Sequence, residues 1–314
     1  MPALNEDAKG VYLITVTPFR EDGTLDLDST DRVTDFYLEH GATGLTVLGV
    51  MGEAPKLSAA ESRAYVERVL ARVGGRVPVV VGVSSPGFAA MRELADGAMA
   101  MGAAGVMVAP AASVKTDDQA VAYFEMAAET LGPSVPFCVQ DHPLASGVQL
   151  PVSVLQRVFR TIPSAVMLKH EDWPGPGLAK LAAMRAASDA GTMRRIAILA
   201  GNGGGLFLPE ELSRGADGAM TGFAYPEMMV DVVAAHAAGD VERAHDLFDA
   251  YLPLARYEQQ SSLGLAVRKH LLLLRGAIAS SAIRRPGPRL SPADVADIAR
   301  LVTRQARRLA ELGA

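Results

Sequence analysis

Of the six lysines in this 314-residue chain, one stands where an amine can do covalent chemistry. Lys169 closes the apolar run 164–168, which reads as a buried strand. An ammonium at the end of such a strand is costly unless it is paired, or unless its pKa falls far enough to leave it partly neutral. A neutral amine attacks a ketone, and the imine that results draws electrons from the neighbouring carbon. The plainer alternative is a strand-end lysine in a salt bridge with Glu171 or Asp172. The other five, Lys9, Lys56, Lys115, Lys180 and Lys269, fall in the N-terminal tail, in loops or in helical polar contexts, where a solvated ammonium is expected.

Three further side chains sort around Lys169. If its strand continues, the two-residue period puts Glu171 on the same face, where a carboxylate beside an iminium can remove the acidified proton. A structural ion pair is the competing reading of Glu171. Gln140 ends the preceding apolar run, and its amide hydrogen-bonds a hydroxyl but carries no proton at neutral pH. His142, two residues on, is a further acid/base candidate, although a histidine in a turn is ordinarily just exposed. Gly49 and Gly52 flank Val50 and Met51 in a tight turn whose backbone amides suit a carboxylate. Gly201 and Asn202 open a glycine-rich stretch, 201–205, that is permissive enough to cradle phosphate but lacks the Lys-Ser/Thr of a P-loop. Thr17 completes the candidate substrate contacts.

Eight short apolar runs must position these groups: 11–17, 44–49, 79–83, 105–109, 136–140, 165–169, 196–200 and 218–221. Amphipathic stretches lie between them, among them 27–40, 59–73, 88–101 and 118–131. Continuous Val/Ile/Leu runs fit parallel strands buried on both faces, and eight β–α alternations suggest a closed barrel or a doubly wound sheet. The first run ends in Thr17, Pro18 and Phe19 instead of a dinucleotide-binding glycine fingerprint, and the unusual polar residues sit at several strand ends. Both favour an α/β (β/α)8 barrel. The expected division is a barrel over 1–224 and a helical extension over 225–314, with helices at 225–238, 241–257, 262–276 and 292–312.

A hydrophobic fraction of 49% with 5% aromatics describes a large aliphatic core. The net charge of −5 and the lack of a basic stripe disfavour nucleic-acid or membrane-surface partners. Cys138 is the only cysteine, which excludes an intrachain disulfide and a four-cysteine zinc site. No metal site is expected. With no leader-like or membrane-spanning stretch in the sequence, a cytoplasmic location is expected.

The chain resembles the dihydrodipicolinate synthase / N-acetylneuraminate lyase family. The matching landmarks are Thr17 to Phe19, Gly23 to Asp26, Gly49 with Gly52 and Glu53, Leu57 and Ser58 with Glu61, and Val77 to Gly82. Later come Lys169, Gly215 to Gly218 and the stretch Arg285 to Pro288. The resemblance implies a barrel with a helical C-terminal extension, assembled as a homotetramer, a dimer of dimers. It implies that Lys169 forms a Schiff base with a 2-oxo acid, with no cofactor beyond that imine. It further implies that the Val50 and Met51 amides hold the substrate carboxylate.

Departures narrow the activity. The family's proton-relaying tyrosine is matched by Gln140, its paired threonines by Val50 and Met51, a tyrosine pair by Ala111 and Ala112, and a carboxylate-binding arginine by Ala145. A true dihydrodipicolinate synthase is disfavoured. Val139 to Asp141 with Pro143, Lys169 with Glu171, Gly218 to Gly222 with Tyr225 and Pro226, and Leu252 and Pro253 with Tyr257 and Glu258 are similar to the branch acting on 2-keto-3-deoxy sugar acids. Dehydration of a 2-keto-3-deoxyarabonate-like acid is therefore expected, with Glu171 taking over the tyrosine's proton work. The alternatives are a pyruvate-dependent aldolase, a synthase-like condensation, a deaminase, and an inactive relative that binds a small molecule.

Overall fold

The computed structural model describes residues 3–260 and 262–313. Eight parallel strands close into one barrel in sequence order. They are β1 (Gly10–Ile14), β2 (Gly44–Val47), β3 (Val79–Gly82), β4 (Gly105–Val108), β5 (Phe137–Asp141), β6 (Ala165–His170), β7 (Ala197–Ala200) and β8 (Gly218–Ala219). Each falls on a run read from the sequence, and β2 to β8 are buried at every position. The (β/α)8 barrel expected from the sequence is thus the observed fold. No helix among the described residues is long and apolar enough to cross a membrane.

The helices are α1 (Leu27–Glu39), α2 (Ala59–Val73), α3 (Phe88–Ala100), α4 (Asp117–Leu131), α5 (Pro143–Ser146), α6 (Val152–Thr161), α7 (Gly177–Asp189), α8 (Leu208–Ser213), α9 (Pro226–Ala237), α10 (Val241–Glu258), α11 (Gly264–Leu274) and α12 (Pro292–Glu311). Their ends carry local signals. Asp26 caps α1 by accepting from the Ser29 amide. Ser58 and Glu61 form a reciprocal capping box on α2, which stops at Gly74 in the left-handed conformation. Ser291, Pro292 and Asp294 start α12 in the same way. α9 follows β8 and packs on β8 and β1, so the 224/225 division passes between a strand and its own helix. α10 lies against α9, and α12 against α10.

Two hydrophobic clusters result. The larger lies between the strands and the helical ring. The smaller fills the barrel itself with Tyr12, Ile14, Val80, Met107, Cys138, Met167, Leu199 and Met220, and Leu4 belongs to it from the N-terminal side. Met51 caps that interior from the opposite loop end. Burial pushes the Cys138 thiol up to about 12, so it stays a neutral packing group and not a nucleophile.

Candidate active site

β5 and β6 set the key pair side by side. Gln140 pairs in register with Lys169, and the Glu171 amide donates to the Asp141 carbonyl at 2.9 Å, which carries the strand pairing one residue past β6. The alternation of a strand then turns Lys169 and Glu171 to one face, and Asp141 and His170 to the other. Lys169 Nζ lies 2.8 Å from Glu171 Oε2, and Gln140 Nε2 donates to the same oxygen at 2.8 Å. His142 Nδ1 stands 3.5 Å from it. Lys169, Gln140 and His142 therefore meet at one oxygen of Glu171, and Lys169 itself is only 4% exposed.

The pair has a simple chemical capability. At 2.8 Å a proton can pass directly from the ammonium to the carboxylate, leaving a neutral amine beside a neutral acid. The pair is thus both the ion pair that the plainer reading expected and an arrangement able to release a nucleophile. Burial lowers the pKa of His142 against the pull of Glu171, which keeps the imidazole neutral and able to accept a proton.

Gly201 follows β7 beside this pair, its amide donating to the His170 carbonyl at 2.7 Å. A Cβ there would overlap Glu171 Cγ and lie 3.0 Å from Lys169 Cγ. Absence of a side chain at this position is what gives the carboxylate its place. Asn202 is brought elsewhere. Its amide donates to Glu211 Oε1 at 3.2 Å, and it lines an adjoining cavity of about 270 Å³ with Asp172, Trp173 and Phe207. Nor is 201–205 an open phosphate cradle. The space over Gly203 is taken by the Gln259 side chain, while the Gly204 and Gly205 amides donate to Thr221 Oγ1 and the Asn202 carbonyl.

Val50 to Gly52 form a single 3-10 turn at the end of β2. Neither the Val50 nor the Met51 amide donates to an acceptor among the described residues, as befits the first donors of a helical turn. Thr17 does not point free into solvent: its hydroxyl donates to the Gly52 carbonyl at 2.6 Å and ties the turn to the end of β1. Leu48 and Glu53, which bracket the turn, both have positive φ, 56° and 55°. Each such non-glycine residue costs roughly 1–2 kcal/mol, so the surroundings must enforce the conformation.

Two lysines contradict the expectation of a solvated ammonium. Lys180 is buried between Asp141 Oδ2 and Asp172 Oδ2, 2.8 Å from each. Lys269 is 0% exposed against Glu53, and burial brings its pKa down to about 8. The available signal was a charge set into an apolar helical stretch, Leu178 to Leu181 for one and Ala266 to Leu274 for the other.

Lys180 belongs to a buried polar layer behind β5 and β6, with Asp141, His170, Asp172, Glu211 and Asn202. Burial works against a charge on His170, but Asp141 and Glu211 raise its pKa. Burial pushes Glu211 up to about 7 against the pull of His170. The folded chain therefore holds a proton that the unfolded chain releases between about pH 4.5 and 7. Stability from this group is complete below the unfolded value and is lost as pH rises through the folded one. Melting curves from about pH 5 to about pH 8 should fall for the parent and stay flatter for Glu211→Gln, which gains on the order of 1–3 kcal/mol at the upper end. Parallel profiles would remove Glu211 from the titration.

The fold and its strand-end cluster define a (β/α)8 barrel with a buried lysine–carboxylate pair at the end of β6. The family model for the dihydrodipicolinate synthetase family matches residues 7–305, and the chain belongs to that family. It is 31% identical over 305 residues to L-2-keto-3-deoxyarabonate dehydratase of Azospirillum brasilense, covering 94% of each chain. It is 28% identical over 270 residues to 4-hydroxy-tetrahydrodipicolinate synthase of Kosmotoga olearia, covering 84% of this chain and 88% of that one. The crystal structure of dihydrodipicolinate synthase from Rhodopseudomonas palustris superposes with a TM-score of 0.94 at 49% identity, over 97% of this chain and 100% of that one.

Proposed function

We propose that the protein is a Schiff-base lyase that dehydrates a 2-keto-3-deoxy sugar acid. The observation that carries this reading is the buried Lys169–Glu171 pair, with an amide, Gln140, where the family's tyrosine relay is expected. The Lys169 amine adds to C2 of the 2-oxo acid, and the C2 oxygen leaves as water to give an iminium ion. Glu171 removes a C3 proton and the electron pair forms the enamine. The C4 hydroxyl then departs with a proton as water, steered by Gln140, and hydrolysis of the imine returns the product and the free amine. The Val50 and Met51 amides hold the C1 carboxylate, no cofactor takes part, and the protein works in the cytoplasm as a homotetramer. The match to the Azospirillum dehydratase supports the sugar-acid class.

An aldolase shares the enamine and differs in which C4 bond breaks. A panel of 2-keto-3-deoxy acids, assayed in parallel for pyruvate release and for a dehydrated 2-oxo product, separates the two. Dehydrated product without pyruvate is expected, and pyruvate with an aldehyde would replace the dehydratase reading by the aldolase one.

A further inference from the structure

Several landmarks that take no part in the chemistry above converge on one buried carboxylate. Glu53 closes the Val50–Gly52 turn, its amide donating to the Val50 carbonyl at 3.1 Å. Its Oε1 accepts from Lys269 Nζ at 2.6 Å. Its Oε2 accepts from Lys56 Nζ at 3.0 Å and from the Arg284 amide at 3.1 Å. Lys269 also donates to the Ala282 carbonyl at 2.9 Å, and Lys56 to the Arg284 carbonyl at 3.0 Å. The Arg284 guanidinium grips both Glu61 oxygens, at 2.8 and 2.6 Å, and the Gly23 carbonyl. Both cations lie over the Phe19 ring, Lys269 Nζ 4.6 Å and the Arg284 guanidinium carbon 4.4 Å from its centroid. Strands β1 and β2 thus reach the segment after β8 through a single ionic latch.

We propose that Lys269 is a positioning residue for substrate capture: by holding Glu53 it fixes the left-handed backbone that closes the Val50–Gly52 turn, and so aims the two free amides at the 2-oxo acid carboxylate. This rests on the assignment of those amides made above. A non-glycine residue with positive φ relaxes unless its surroundings over-determine it, and Lys269 supplies the shortest hydrogen bond to Glu53. Thr17 holds the turn from the other side through the Gly52 carbonyl. Lys269 touches no reacting atom, so its removal should weaken capture of a carboxylate while leaving the amine at Lys169 intact.

The test uses the full chain and two ligands, pyruvate and hydroxyacetone, a ketone without a carboxylate. Saturation-transfer NMR reads binding whether or not an imine forms, and borohydride trapping reads the imine. Lys269→Met should raise the pyruvate concentration for half-saturation by about tenfold, the worth of one charge-assisted hydrogen bond, and leave hydroxyacetone binding unchanged. Should the lone Glu53 charge prevent folding, the double variant Lys269→Met with Glu53→Gln removes that charge and should show the same rise. Unchanged pyruvate half-saturation in a folded variant overturns the proposal, as does equal weakening of both ligands. Pyruvate that binds the parent protein without a trapped adduct strikes the Schiff-base reading alone, because the shift in half-saturation still judges Lys269.

Discussion

Lys169→Ala is expected to abolish the borohydride-stable adduct with pyruvate and to lower turnover on the order of 10⁴-fold or more, the scale seen when a covalent nucleophile is lost. The large effect follows from position. Lys169 is buried at the end of β6, held 2.8 Å from a carboxylate oxygen that also meets Gln140 and His142. The other buried amines are committed elsewhere, Lys180 to two aspartates and Lys269 to Glu53. Intact-mass measurement after reduction reads the adduct, and a thermal melt confirms folding. Adduct formation at another lysine in the variant would sink the assignment.

The second large effect is expected at Glu171. Glu171→Gln keeps the shape and can still meet Gln140, but it accepts no proton from C3. Trapping with pyruvate should persist, while turnover of a 2-keto-3-deoxy acid should fall by about 10²- to 10⁴-fold, the range of a positioned general base. The split between trapping and turnover is the diagnostic. Turnover within a few-fold of the parent would leave Glu171 as an ion-pair partner only and move the proton work to His142, whose Nδ1 finds no hydrogen-bond partner among the described residues.

The barrel was legible because its strands are short, apolar and bounded by glycine, proline or polar residues. Buried parallel strands admit little else, and β3, Val-Val-Val-Gly, is the plainest case. The Lys169 cluster was legible for a related reason: strand alternation is rigid enough to carry Lys169 and Glu171 to one face without knowledge of the rest. The pairing with Gln140 followed from the order of strands in a barrel.

What escaped was set by helices and by distance along the chain. Lys180 and Lys269 sit in helices whose neighbours in sequence do not disclose which face is buried, and Asp141 and Glu53, one partner of each, lie 39 and 216 residues away. The same holds for Gln259, which fills the space over Gly203 from the end of α10. Glycines at 201 and 203 look equally permissive in sequence. One makes room for Glu171 and the other for Gln259, and only the packing tells them apart.

The latch at Glu53 also orders events in time. A ribosome delivers Glu53 ahead of its amine partner by 216 residues. Until α11 and the segment through Arg284 have emerged, the turn at the end of β2 lacks the Lys269 and Arg284 contacts that hold it. The growing polypeptide therefore carries the Val50–Gly52 turn without these restraints until the segment through Arg284 has been translated.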